Sequence, residues 1–339
     1  MQLSRRTDHV ETRSPPYVQP YCSRVIHVSP VATPAEEQAS LDVYNATWPR
    51  DAITMAEVES FKRSQLDYVD FLARIDREPA GSGVGAVGPY RPDQVLALTT
   101  VLPEQRRRGI GTALYGAISN WAAERGLDKL VTRVRDNDSE SLAFAHKRGF
   151  VQITHEKGLV LPLAGFEPPP VEPPDGVEIV TWAERPGIEP GLYAVALEAY
   201  PDIPGQEDDA VEPFEDWLDH EMGGSGDRPD ATFVALAGAE VIGYSKFSLT
   251  AARPKSAFHD LTAVKRAWRG RGIAGALKAT QIRWAKEHGF DELRTTNEKR
   301  NEPIRRLNAR LGYRPAPGLI YLEGPPFRPE ASAAPAVSS

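Results

Sequence analysis

The chain has 339 residues, 41% hydrophobic and 26% charged, and its 47 acidic against 40 basic side chains leave a net charge of −7. This is apolar material for two ordinary cores of about 140–150 residues each, and the acidic balance argues against a general nucleic-acid binder while favouring a cationic small-molecule partner. No apolar run approaches the roughly 18 residues that a spanning helix needs, the start lacks an apolar secretory core, and Cys22 is the single cysteine, so the expectations are a cytoplasmic protein with no membrane partner, no intrachain disulfide and no metal.

Residues 1–23 mix Arg, Ser, Thr and Pro without periodicity and are expected to stay disordered. The first half, 24–165, opens with a strand, one or two helices and a hairpin, and reaches the apolar run Leu98-Thr99-Thr100-Val101. A turn, Arg106-Arg107-Arg108-Gly109-Ile110-Gly111, leads into a helix whose Ile110, Ala113, Leu114, Ala117, Ile118, Trp121 and Ala122 hold helical spacing until Gly126 stops it. Trp121 is read as core packing. A strand and a short helix over 141–150 end the half at Gly149-Phe150.

Residues 166–176 are Pro-rich and expected to be an extended linker. The second half, 177–324, opens with the strand Val177-Glu178-Ile179-Val180, and the runs 232–236 and 241–245 bracket Gly238 as a hairpin. Leu261-Thr262-Ala263-Val264 then precedes Arg269-Gly270-Arg271-Gly272-Ile273-Ala274, a helix carrying Trp284 and ending at Gly289, and a last helix over 303–313. The tail from Pro325 is Pro, Ala and Ser and is expected to be disordered.

The halves are copies. Arg269 lies 269 − 106 = 163 positions after Arg106, and the same offset joins Ile110 to Ile273, Leu114 to Leu277, Trp121 to Trp284, Gly126 to Gly289 and Gly149 to Gly312. Solenoid repeats run to roughly 20–50 residues, so this period marks a duplicated domain.

Glycines at a strand-to-helix turn let a bound anion approach the backbone, and the first-turn N–H groups have no intrahelical partner. Arginines beside such a turn add charge and paired donors, which suits pyrophosphate. The turn lacks the Lys-Ser/Thr of a Walker loop and the third glycine of a dinucleotide fingerprint. Arg-x-x-Gly-x-Gly/Ala, twice and with matched flanks, resembles the acetyl-CoA signature of the GCN5-related N-acetyltransferase (GNAT) superfamily in its tandem form.

The resemblance implies an α/β fold of two tandem domains, each a mixed, splayed central sheet flanked by helices. It implies acetyl-CoA as co-substrate, its pyrophosphate at Arg106, Arg107, Arg108, Gly109, Ile110 and Gly111 or at Arg269, Gly270, Arg271, Gly272, Ile273 and Ala274. The pantetheine arm would bond to backbone near Val101 or Val264. The reaction implied is direct attack by a primary amine on the thioester, the acceptor being a small molecule such as an amino sugar, an aminoglycoside-like compound or an amino-acid-derived metabolite. The alternatives are a protein-lysine acetyltransferase and a non-catalytic acyl-CoA sensor, as monomer or homodimer.

The family often carries its general base about ten residues before the cradle arginine. That window holds His259 and Asp260 in the second half and only Val95-Leu96-Ala97 in the first. Adjacent strand residues face opposite sides, so one of His259 and Asp260 faces the cleft, and a neighbouring carboxylate would raise the histidine pKa. The family's thiolate-protonating Tyr is replaced by Ala145 and by Asn308, and only Asn308 can still donate a hydrogen bond. Chemistry is therefore expected in the second half, with Asn301, Thr296 and Asn297 around the thioester. Tyr200, Asp202 and Trp217, with Glu207, Asp208, Asp209, Phe214 and Glu215, are expected to supply an acceptor pocket suited to a cationic amine.

Overall fold

A computed structural model describes residues 25–204 and 211–327; Cys22, Glu207, Asp208 and Asp209 lie outside the described residues. The first half runs β1 (Ile26–Pro30), α1 (Pro34–Thr47), α2 (Met55–Arg63), β2 (Asp67–Ile75), β3 (Glu78–Val87), β4 (Val95–Val101), α3 (Ile110–Glu124), β5 (Leu130–Arg135), α4 (Ser139–His146) and β6 (Val151–Pro162). The second repeats it as β7 (Val177–Thr181), α5 (Glu189–Ala199), α6 (Phe214–His220), β8 (Thr232–Ala237), β9 (Glu240–Ser248), β10 (Ser256–Val264), α7 (Ile273–Glu287), β11 (Glu292–Glu298), α8 (Glu302–Arg310) and β12 (Arg314–Gly324). No helix among the described residues is long and apolar enough to cross a membrane.

Local chemistry sets these boundaries. Thr54 and Glu57 close a reciprocal capping box at the start of α2. Gly126 and Gly289 adopt φ of 72° and 73° just past α3 and α7, the left-handed stop that glycine permits. Trp121 is 7% exposed within the first core, while Trp284 packs edge-on to Phe233 and stacks on His288 and Phe290.

The strands form one twelve-stranded sheet in the order β1-β2-β3-β4-β5-β12-β6-β11-β10-β9-β8-β7. It is mixed: β4 and β5 run parallel, as do β10 and β11, and the other neighbours are antiparallel. Its centre holds an exchange that the linear repeat does not announce. β12 lies beside β5 of the first half and β6 beside β11 of the second, and the two exchanged strands pair with each other. Leu322 of β12 thus sits in the first core and Leu161 of β6 in the second. Phe166, at the start of the Pro-rich run, packs against the second core. Dividing the chain at 166–176 therefore does not divide the sheet.

At the crossing of the exchanged strands the backbones touch. A Cβ at Gly158 would fall 2.1 Å from the Pro317 carbonyl oxygen, and one at Gly318 would fall 2.0 Å from that of Glu156. Asp136, beyond β5, accepts the Gly318 N–H at 3.0 Å and fixes this bend.

Candidate functional site

Two splays open the sheet. The β4–β5 ladder ends after Leu96↔Val131 and the β10–β11 ladder after Phe258↔Arg294, leaving the ends of β4 and β10 with free backbone on that side. Each of these strands leads to a cradle. Gly109 and Gly272 occupy the N-cap positions of α3 and α7 at φ 93° and 89°, with no side chain capping either helix. Two residues earlier, Arg107 and Gly270 are also left-handed, at φ 62° and 76°. The repeat thus extends to backbone conformation, and the first-turn N–H groups of both helices have no intrahelical partner and no side-chain cap. A Cβ on Gly272 would meet nothing within 4 Å, so an anion can come close to this backbone.

The arginines are tethered differently in the two copies. Arg106 lies 3.8 Å from Asp138 and from Glu140, and Arg107 and Arg108 are exposed. Arg269 donates to the Val264 carbonyl at 2.9 Å, which engages part of the backbone expected to hold a pantetheine arm. Arg271 lies over the Trp268 ring, 4.8 Å from its centroid. Asp202, expected in the acceptor pocket, is instead at the second cradle: Arg266 and Arg269 clamp it at 2.8 Å and 2.6 Å, and their hydrogen bonds lower its pKa to about 2. Two guanidinium groups capture the carboxylate before an acceptor can.

Beside the first cradle lies a cavity of ≈ 590 Å³, bounded by Val101, Arg106, Arg107, Gly109, Ile110 and Gly111 together with α4. A second, of ≈ 320 Å³, occupies the splay between β4 and β5 and reaches the second half. Thr296, expected near the second thioester, lines this second cavity. Alternation along β11 accounts for the displacement, since the adjacent Thr295 is the buried one, at 4% exposure.

In the second half, β10 carries a bulge. Its register with β9 steps from His259↔Phe247 to Leu261↔Lys246, so Asp260 is the extra residue. His259 turns toward α7 and is 1% exposed. Its ring nitrogens lie 3.1 Å from Thr262 Oγ1, 3.3 Å from Tyr313 Oη, and 3.0 Å and 3.2 Å from Lys278 Nζ. Burial, then the lysine, hold its pKa well below the usual value. The carboxylate expected to raise that pKa points to the other face. Lys278 is itself buried, which lowers its pKa to about 7.

Asp260 is exposed on the α5–α6 side, its Oδ2 3.2 Å from the Nζ of Lys246 on β9. Lys246 is 3% exposed and also meets Asp227 at 2.9 Å and Glu221 at 3.4 Å. Three carboxylates thus share one buried cation. Burial raises the Glu221 carboxyl to about 7 against the opposing pull of Lys246, and Asp260 adds repulsion in the same direction as burial. Tyr200 borders this group, hydrogen-bonded to Glu221, with its hydroxyl 3.5 Å from that of Tyr244. Trp217, expected at the acceptor, is 1% exposed and donates to the Tyr200 hydroxyl at 3.3 Å, so it supports this wall from within the core.

Asn308 is fully buried; its Nδ2 donates to Asn297 Oδ1 at 2.7 Å while its own Oδ1 has no partner. Asn301 occupies the N-cap position of α8 without a side-chain capping bond. Sequence reasoning passed over Glu221, Asp227, Lys246 and Lys278. Lys246 carried a signal, because a lysine between Ser245 and Phe247 in a strand that is otherwise largely apolar must find buried anions. The carboxylates come from a loop whose approach to β9 no local pattern encodes.

The profile of the acetyltransferase (GNAT) family matches residues 37–150 and 190–313. A mycothiol acetyltransferase from Catenulispora acidiphila is 29% identical over 232 residues, covering 64% of this chain and 68% of that protein. Among solved structures, a tandem GNAT protein from the clavulanic acid biosynthesis pathway superposes with a TM-score of 0.72 at 20% identity, over 90% of this chain and 100% of its own. A GCN5-related N-acetyltransferase from Sphaerobacter thermophilus gives 0.68 at 21% identity, over 90% and 96%.

Proposed function

The chain belongs to the acetyltransferase (GNAT) family, and from that premise we propose that its C-terminal half moves an acetyl group from acetyl-CoA to the primary amine of a small cationic molecule. The observation that carries this reading is the group formed by Glu221, Asp227 and Asp260 around Lys246, beside Tyr200. Amino sugars, aminoglycoside-like compounds and amino-acid-derived amines have the matching charge. The mycothiol acetyltransferase relative supports the same reaction class.

An incoming ammonium meets the partly exposed Asp260 and Glu221. A carboxyl pushed up to about 7 exchanges protons at neutral pH, which suits removal of the ammonium proton. His259 is closed off from that wall and contributes by holding β10 to α7. The first-turn N–H groups of α7 would hold the phosphates, and the splayed end of β10, where Arg269 already engages the Val264 carbonyl, would align the pantetheine arm through the backbone groups that remain. Acetyl-CoA supplies the activated acyl group. As the amine nitrogen bonds to the acyl carbon and the carbon–sulfur bond breaks, the proton lost from nitrogen passes to Glu221 or Asp260, and the departing sulfur takes one from solvent.

The test is CoA-thiol release from acetyl-CoA across an amine panel, with Gly109→Glu and Gly272→Glu beside the parent chain. Release kept in Gly109→Glu and lost in Gly272→Glu is the expected outcome. The opposite pattern would move the chemistry to the first half, and acetyl-CoA binding without release on any amine would reduce the protein to an acyl-CoA binder.

A further inference from the structure

The cavity in the first splay carries a charge that acetyl transfer to a cationic amine does not use. Arg133 and Arg135 of β5 line it from one side, and the second half closes it with Arg253 and Arg294. Among the described residues that line it, Asp51 is the sole carboxylate. Asp51 is divided between two of these arginines, at 2.9 Å from Arg294 and in direct contact with Arg135. Arg135 also lies over the Trp48 ring, 5.3 Å from its centroid. Arg253 donates to the backbone oxygens of Ala52 and Arg50, at 3.2 Å and 3.4 Å.

Arg133 is exposed, but the other three cations are not surface charges in bulk water. The side chains of Arg135 and Arg294 are 20% and 16% exposed, and burial followed by the nearby Arg294 lowers the pKa of both Arg135 and Arg253. Glu57, Glu292 and Asp136 act on these guanidinium groups from outside the lining, but within the half-desolvated chamber they share one carboxylate and gain from a further anion that accepts their remaining N–H groups. The chamber also connects to a cofactor site, since Trp48, Thr99, Thr100, Ser141 and Phe144 line both it and the cavity beside the first cradle. At the 163-residue offset, Arg133 and Arg135 become Thr296 and Glu298 (133 + 163 and 135 + 163). The second splay lacks the counterparts of these two arginines.

We propose that this chamber binds a carboxylate next to the thioester end of the first cleft. The carboxylate is either the far end of the acyl group of a dicarboxylic acyl-CoA or part of a free molecule bound beside acetyl-CoA. The inference rests on the first cradle being a CoA site, and it gives that half a ligand opposite in charge to the amine of the second.

The experiment uses the full chain carrying Gly272→Glu, which leaves only the first cradle open, and measures binding of acetyl-CoA, succinyl-CoA and free succinate by calorimetry. Succinyl-CoA is expected to bind about tenfold more tightly than acetyl-CoA if the carboxylate is acyl-borne. If it belongs to a separate molecule, succinate will instead titrate into the acetyl-CoA-loaded chain. In either arm Arg253→Gln should abolish the carboxylate-dependent binding and leave acetyl-CoA affinity within about twofold, while Arg253→Lys retains part of it. Retained acetyl-CoA binding reports that these variants are folded. Equal affinity for the two thioesters with no succinate binding, or a preference that survives Arg253→Gln, overturns the proposal. Failure of both thioesters to bind removes the cradle reading and the proposal together.

Discussion

Lys246 and Lys278 are both buried in the second half, and their surroundings give them opposite behaviour. Carboxylates surround Lys246, and its pKa rises despite burial; Lys278 faces His259 and falls to about 7. Between pH 7 and about 10 the unfolded chain holds a proton at residue 278 that the folded chain lacks, so stability should climb with pH across that window and level off at its low value below pH 7, where both states hold the proton. Lys278→Met should raise stability at pH 7 by about 1–4 kcal/mol and flatten the climb, as read by denaturant titration at several pH values. Removing a carboxylate beside Lys246 has a chemical consequence as well. Glu221→Gln or Asp260→Asn should lower kcat/KM at pH 7 by about 10²–10⁴-fold, and the glutamine variant should lose the rise in rate with pH through neutrality. An unchanged profile in Glu221→Gln, with the rise lost in His259→Gln, would return the base to the histidine.

The cradles show what one backbone asks of two sequences. Position 107 and its copy 270 are both left-handed, yet one is arginine and the other glycine. A non-glycine residue in that region costs roughly 1–2 kcal/mol, partly cancelled by the greater freedom of glycine in the unfolded chain. Arg107→Gly should therefore be neutral or stabilising by up to about 1 kcal/mol, and Gly270→Ala destabilising by about the same amount, both measured by thermal unfolding. The cradles, their helices and the two hairpins were legible from sequence because each rests on local chemistry: a glycine at positive φ, an apolar stripe, a turn. The group around Lys246, proposed as the acceptor wall, was legible only in part. Asp260 stood out at its distance from Arg269, but the bulge that turns it away from His259 depends on pairing with β9, and the contact of Glu221 and Asp227 with Lys246 is set by the path of a loop. Asp202 is held at the second cradle by arginines 64 and 67 positions away, a pairing that no local pattern announces.

Across the whole molecule, exchange of β6 and β12 joins the two halves into one sheet. Contacts around Asp51 add to it, as do the Arg50–Glu292 ion pair at 2.9 Å and the bond from Thr250 to Glu57 at 2.6 Å. Gly158→Val should be among the most disruptive single changes, because the Pro317 carbonyl occupies the space of its Cβ. A loss of more than about 3 kcal/mol is expected, with both cores affected, and near-parent stability in calorimetry would show that the strands can separate here at little cost.

The same exchange constrains the order of events during synthesis. The first half leaves the ribosome with β5 unpaired on the side that β12 will occupy, and that strand is encoded some 180 positions later (314 − 135 = 179). Until residues 314–324 emerge, an open sheet edge is presented to every other nascent chain nearby. A gene cut between the halves would leave β5 without β12 and β11 without β6, and each product could fill the gap only with its own last strand or with that of another copy.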